Sequence, residues 1–118
     1  LTMRLILSLL VVVFLNPSSV IAQSYCNGSN QRDANICAKQ KWEIADQKLN
    51  QLWNEVKALA DARGTGQVLL DEQRAWLRRR DAHCEPELEE GGSADYMFYW
   101  SCMEEQTLQR IEVLRALR

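Results

Sequence analysis

Four cysteines, Cys26, Cys37, Cys84 and Cys102, constrain this chain of 118 residues more than any other feature, because of what precedes them. Arg4 leads into an apolar stretch over residues 5–15 that only Ser8 interrupts, and Asn16-Pro17-Ser18-Ser19 then gives way to Val20-Ile21-Ala22. A basic start, a short apolar segment and a small-residue tripeptide read as a secretory signal. Such a segment rises only about 16 Å as a helix, half of a hydrocarbon core of roughly 30 Å. The expectation is a signal peptide over residues 1–22 and a single exported domain over 23–118, periplasmic or secreted, with no membrane span after cleavage. Tyr25, a large residue in front of Cys26, argues against lipid attachment there. In an oxidising compartment an even number of cysteines reads as disulfides. A metal site would need closely spaced ligand pairs, but there is no Cys-x-x-Cys and the one histidine is His83, so none is expected.

The exported part is too short for a large core, so bridges matter to it. Four cysteines permit three connectivities. Cys26–Cys37 with Cys84–Cys102 gives the shortest loops and fits the helix ends best.

Helical periodicity fills the rest of the chain. Ala34, Cys37, Ala45, Leu49, Leu52, Trp53, Val56, Leu59 and Ala60 recur at three- and four-residue steps, which predicts a helix over residues 30–62 with Asn30 as its cap. Arg63-Gly64-Thr65-Gly66 supplies a stop and a turn. A second helix is predicted over residues 67–84, with Leu69, Leu70, Gln73, Trp76, Leu77, Arg80 and Cys84 on one side and Pro86 ending it. The third is predicted over residues 94–117, capped by Ser93, with Tyr96, Trp100, Met103, Thr107, Ile111, Leu114 and Leu117 as its stripe. No segment alternates with period two. The fold class that follows is all-α, a compact antiparallel array of three main helices stapled by two disulfides.

Charge narrows the function. The whole chain carries 14 basic and 16 acidic residues, and the one basic run, Arg78-Arg79-Arg80, is followed at once by Asp81. A nucleic-acid binder would show a clustered basic surplus instead. Catalysis has no clear constellation either. His83 and Cys84 are neighbours, but adjacent helical residues point about 100° apart and a bridged cysteine is no nucleophile. Asp46 and Asp81 have arginines near enough in sequence to lower their pKa, which suits neither for donating a proton. No Gly-rich phosphate loop is present, so neither an enzyme nor a cofactor is expected.

Asp46-x-x-Leu49-Asn50, then Gln73-Arg74-Ala75-Trp76-Leu77 with Arg80-Asp81 and Cys84, then Gly91-Gly92-Ser93, then Cys102 with Thr107 and Arg110, resemble the LprI-type lysozyme inhibitor family. The likeness runs from Cys26 to Leu117, and the Gln-Arg-Ala-Trp-Leu block with its Arg-Asp and Cys is its specific part. The resemblance implies a small exported bacterial helical domain with the paired-cysteine pattern named above. It also implies binding to a lysozyme-like hydrolase. The namesake's lipidation cysteine is missing here, so membrane anchoring does not carry over. A non-catalytic interaction or structural module of the cell envelope is the other class the sequence allows.

Two groups of residues are candidates for site roles. Arg80 shares a face with Gln73, Trp76, Leu77 and Cys84, and a guanidinium on an apolar side needs a carboxylate. Asp46 is the expected partner, while Asp81 is expected to line another face with Arg74 and Arg78. Together with Asn50, Thr107 and Arg110 these residues read as a polar network that fixes how the helices dock. The second group is Glu85, Glu87, Glu89 and Glu90 followed by Tyr96-Met97-Phe98-Tyr99-Trp100. One helical face cannot bury five such side chains against two helices, so Phe98 first of all is expected at a partner-binding surface with the glutamates.

Overall fold

The computed structural model describes residues 25–118, so the signal segment proposed for residues 1–22 lies outside the described residues. Helix α1 spans Gln31–Ala62, α2 spans Gly66–Cys84, a 3-10 turn spans Glu85–Leu88, and α3 spans Asp95–Arg115. Among the described residues there is no strand.

Local chemistry sets the helix ends. The Asn30 side chain accepts the Asp33 backbone N–H at 2.8 Å, and Asp33 places its charge in the first turn, where the helix dipole favours it. Gly64 ends α1 at φ 79°, a left-handed backbone that a residue with a Cβ adopts at a cost. The Thr65 N–H then returns to the Ala60 carbonyl at 2.9 Å, and α2 starts one residue later, at Gly66.

Helix α2 runs back along α1, and α3 reverses again to lie beside α1 in the same direction. Leu49, Leu52 and Val56 of α1 meet Trp76 of α2 and Ile111 and Leu114 of α3, with Trp53, Leu69 and Leu77 closing the edges. A fully buried Leu or Val contributes about 1.5–3 kcal/mol relative to exposure, and this core has few of them. The cysteines supplement it. Bridges join Cys26 to Cys37 and Cys84 to Cys102, as expected. Loop-entropy models assign a closure such as the second about 3 kcal/mol.

Helix α1 is the longest, and its first turns outrun α2. There it packs on the start of α3: Trp42 lies 4.8 Å from Trp100 between ring centroids, and the Asn35 amide donates to the Ser93 carbonyl at 2.9 Å.

Helix α2 ends at Cys84, ahead of Pro86, as expected, and Pro86 sits in the first turn of the 3-10 segment, where its missing N–H costs nothing. Two sequence expectations need correction. Ser93 does not cap α3, which begins at Asp95 with Ala94 in the cap position and no side-chain bond there. Tyr96 and Leu117, counted in the buried stripe, are 57% and 43% exposed. The first faces outward where α2 has already ended, and the second lies past the last helical residue.

Candidate functional site

The Gln-Arg-Ala-Trp-Leu block puts Gln73, Trp76 and Arg80 on the inner face of α2, three and four residues apart, and leaves Arg74 exposed. Trp76 is buried between two arginines. The guanidinium carbon of Arg80 lies 5.2 Å from its ring centroid and that of Arg110 lies 5.4 Å away. Both arginines are themselves buried. A planar cation beside an indole keeps its charge attracted by the ring quadrupole while covering apolar surface.

The two arginines are held differently. Arg110 donates from Nε to Gln73 Oε1 at 2.7 Å and from Nη1 to Glu72 Oε1 at 2.9 Å, while Nη2 donates to Glu72 Oε2. This is a two-pronged fork on one carboxylate, the geometry guanidinium and carboxylate share. That hydrogen bonding holds the Glu72 carboxyl below its ordinary value of 4.5, against an opposing push from burial, and the charges of Arg110 and Arg79 add to the lowering. A carboxylate kept ionised in this way is a poor proton donor.

Arg80 has a looser set. Its Nε donates to Asp81 Oδ1 at 3.1 Å, its Nη1 reaches Thr107 Oγ1 at 3.4 Å, and Asp46 Oδ1 lies 3.8 Å from Nη1. Asp46 is therefore near Arg80, but Asp81 is nearer. Asp81, Arg74 and Arg78 are all exposed along α2, consistent with the separate face expected for them, but Asp81 bonds its chain neighbour Arg80 rather than either of the other two arginines. Asn50 is exposed and donates to Asp46 Oδ2 at 3.4 Å, at the margin of the cluster, whereas Thr107 is fully buried inside it. The structure thus gathers Asp46, Gln73, Arg80, Asp81, Thr107 and Arg110 into one seam and leaves Arg74 outside.

Glu72 was missed. It precedes the recognised block by one residue, and nothing in its spacing from Arg110 marks the pair before the helices are placed. Trp42 was missed too; its ring lies 6.0 Å from the Arg80 guanidinium carbon.

The acidic connection is built otherwise. Glu85, Glu87, Glu89 and Glu90 are all exposed, on the 3-10 turn and just after it. Its far end is clamped by Asp95, whose carboxylate accepts the Gly91 N–H at 2.8 Å and the Gly92 N–H at 3.2 Å. Gly91 stands at φ 76°, so glycine is needed for this turn. The Gly-Gly-x-x-Asp spacing was the signal for the clamp. Phe98 is 53% exposed on the opening turns of α3, the helix that packs against the 3-10 turn. Tyr99 turns inward; burial first, then the negative charges of Asp81 and Glu85, raises its hydroxyl pKa, with Arg80 opposing.

Among the described residues, no three His, Cys, Asp or Glu side chains are grouped to hold a metal ion, and no helix is long and apolar enough to cross a membrane.

Comparison with known proteins adds two findings. The family described as lysozyme inhibitor LprI matches residues 24–114. An uncharacterised protein of Rhizobium meliloti (strain 1021) is 34% identical over 102 aligned residues, covering 75% of this chain and 73% of the relative. No solved structure matches.

Proposed function

Because the chain belongs to the LprI family of lysozyme inhibitors, we propose that it is an exported, non-catalytic inhibitor that binds a lysozyme-like cell-wall hydrolase and blocks its substrate. The observation that carries this reading is the extent of the family match, which takes in all three helices, both disulfides and the acidic connection. The export signal read in the sequence and the two bridges support secretion into an oxidising compartment, periplasmic or external.

The proposed contact is the segment over residues 85–100. Lysozyme acts in a cleft whose paired carboxylates flank the scissile bond. Glutamates pushed into that cleft would meet like charge. Glu85, Glu87, Glu89 and Glu90 instead engage the basic rim of the enzyme, while Phe98 or the Gly91-Gly92 turn approaches the cleft. The Asp95 clamp holds that turn in one shape before binding, which lowers the entropy lost on association.

The test is the clearing of a bacterial cell-wall suspension by lysozymes of several types, with and without the purified oxidised protein. Inhibition predicts slower clearing with at least one type, saturating as the protein is added. Unchanged clearing with every type would contradict the reading and leave an envelope interaction module in its place.

A further inference from the structure

Where α1 outruns α2, it forms with the start of α3 a groove of 450 Å³, most of whose lining comes from α1, outside the contact segment proposed above. That volume lies within the range of roughly 300–1,000 Å³ that small-ligand sites occupy. Its floor is Trp100, half-buried and held from two sides: Trp42 packs on it at 4.8 Å and Tyr99 meets it edge-on at 4.8 Å. One wall is Tyr96, 57% exposed. Gln31 and Asn35 supply amides whose positions are fixed, since Gln31 Nε2 donates to Asn35 Oδ1 at 2.9 Å and Asn35 Nδ2 donates to the Ser93 carbonyl at 2.9 Å. Arg32 and Lys39 provide the cations, with the Lys39 ammonium 5.5 Å from the Trp100 ring centroid. Among the described residues no Asp or Glu lines the groove. Glu43 flanks it, 4.0 Å from the Lys39 ammonium, so two cations stand against one neighbouring carboxylate and the groove is cationic in a chain with an acidic surplus.

We propose that this groove binds a carboxylate-bearing sugar, its ring against the exposed Tyr96 and its carboxylate between Arg32 and Lys39. The electron-rich faces of aromatic rings attract the polarised C–H groups on the apolar side of a pyranose. Fixed amides meet the hydroxyl or acetamido groups around the ring, and the cations give charge-assisted bonds to the carboxylate. A planar nucleobase fits less well: Lys39 already leans over the one indole at the floor, which leaves no flat slot between two rings. A puckered ring beside the outward-facing Tyr96 does not need one. Ser93, Tyr96 and Trp100 also belong to the proposed contact segment, but sugar binding is read directly on the free protein and inhibition by cell-wall clearing, so either reading can fail while the other stands.

The experiment titrates the folded, oxidised protein with the N-acetylglucosaminyl–N-acetylmuramic acid disaccharide, digalacturonate, neutral diacetylchitobiose and AMP, followed by tryptophan fluorescence and calorimetry. The expected result is saturable, salt-weakened binding of at least one of the two acidic sugars. That sugar should bind roughly tenfold or more tighter than diacetylchitobiose, as a charge-assisted bond predicts. The acidic sugar that binds identifies the carboxylate source, lactyl ether or uronate. Tyr96→Ala should weaken binding roughly three- to tenfold by removing the ring contact. Arg32→Gln should weaken it about tenfold by removing the charge-assisted bond. Both positions are exposed, so the unfolding midpoint serves as a control that stays fixed. No saturable binding of either acidic sugar, equal affinity for diacetylchitobiose, tighter binding of AMP, or indifference to both substitutions would overturn it.

Discussion

In the seam between α2 and α3, buried arginines meet carboxylates, an amide and a hydroxyl, and Trp76 lies against both guanidinium groups. In the connection that joins the same two helices, four glutamates stand in six residues and, among the described residues, none of them pairs with a cation. The seam keeps its charges by satisfying them, as a low-dielectric interior requires. The connection leaves its charges to water, where they cost little and act at a distance on whatever approaches. Removing a charge from the seam should therefore cost stability, and removing charges from the connection should cost association.

The largest expected effect is that of Arg110→Ala. Gln73 would be left buried without its partner, Trp76 would lose one covering group, and a gap would open beside Ile111 and Leu114. Breaking a buried pair costs about 3–5 kcal/mol, and Glu72 can rehydrate because it is half exposed, so a loss of about 3 kcal/mol is expected. Denaturant unfolding of the variant measures it; a loss under about 1 kcal/mol would place the fork among ordinary surface pairs.

Arg80→Ala should cost less. Its partners Asp46 and Asp81 have side chains 32% and 57% exposed, so both recover water when the guanidinium is removed, and only Thr107 stays stranded. About 2 kcal/mol is expected, mostly from lost packing on Trp76 and one orphaned hydroxyl. Equal losses for the two arginines would show that packing, rather than the number and geometry of bonds, governs the seam.

A smaller effect concerns acid. The Glu72 carboxyl has a lower pKa folded than its ordinary 4.5, so its contribution is complete above 4.5 and is lost as pH falls through the lowered folded value. The unfolding free energy followed from about pH 6 to 3 should decline less steeply in Glu72→Gln than in the native protein. Parallel curves would mean the fork adds nothing to folding.

Much of the fold was legible because helices announce themselves by period. The stripe from Ala45 through Leu49, Leu52 and Val56 to Ala60 is buried as its spacing demands, and Asn30 caps as its side chain allows. Legibility failed where a side chain had competing local choices. Ser93 is a usual cap residue, but the carboxylate of Asp95 binds the preceding glycine amides and the helix starts later. Asp81 has arginines at three and seven residues' distance, yet bonds the arginine next to it. Glu72 and Arg110 could not be paired in advance, because 38 residues separate them and only the docked helices bring them together. Tyr96 continued an apolar stripe by spacing, but spacing does not tell that α2 ends before reaching it.

The division between seam and connection is tested most directly by the variant in which Glu85, Glu87, Glu89 and Glu90 are all changed to Gln, read for lysozyme association across a range of salt with unfolding measured alongside. Exposed substitutions of this kind leave stability within about 0.5 kcal/mol. The account predicts an unchanged unfolding midpoint, slower association at low salt and a flattened salt dependence, since rim charges act chiefly on encounter. Association as fast and as salt-sensitive as that of the native protein, or a stability loss comparable to that of Arg110→Ala, would contradict it.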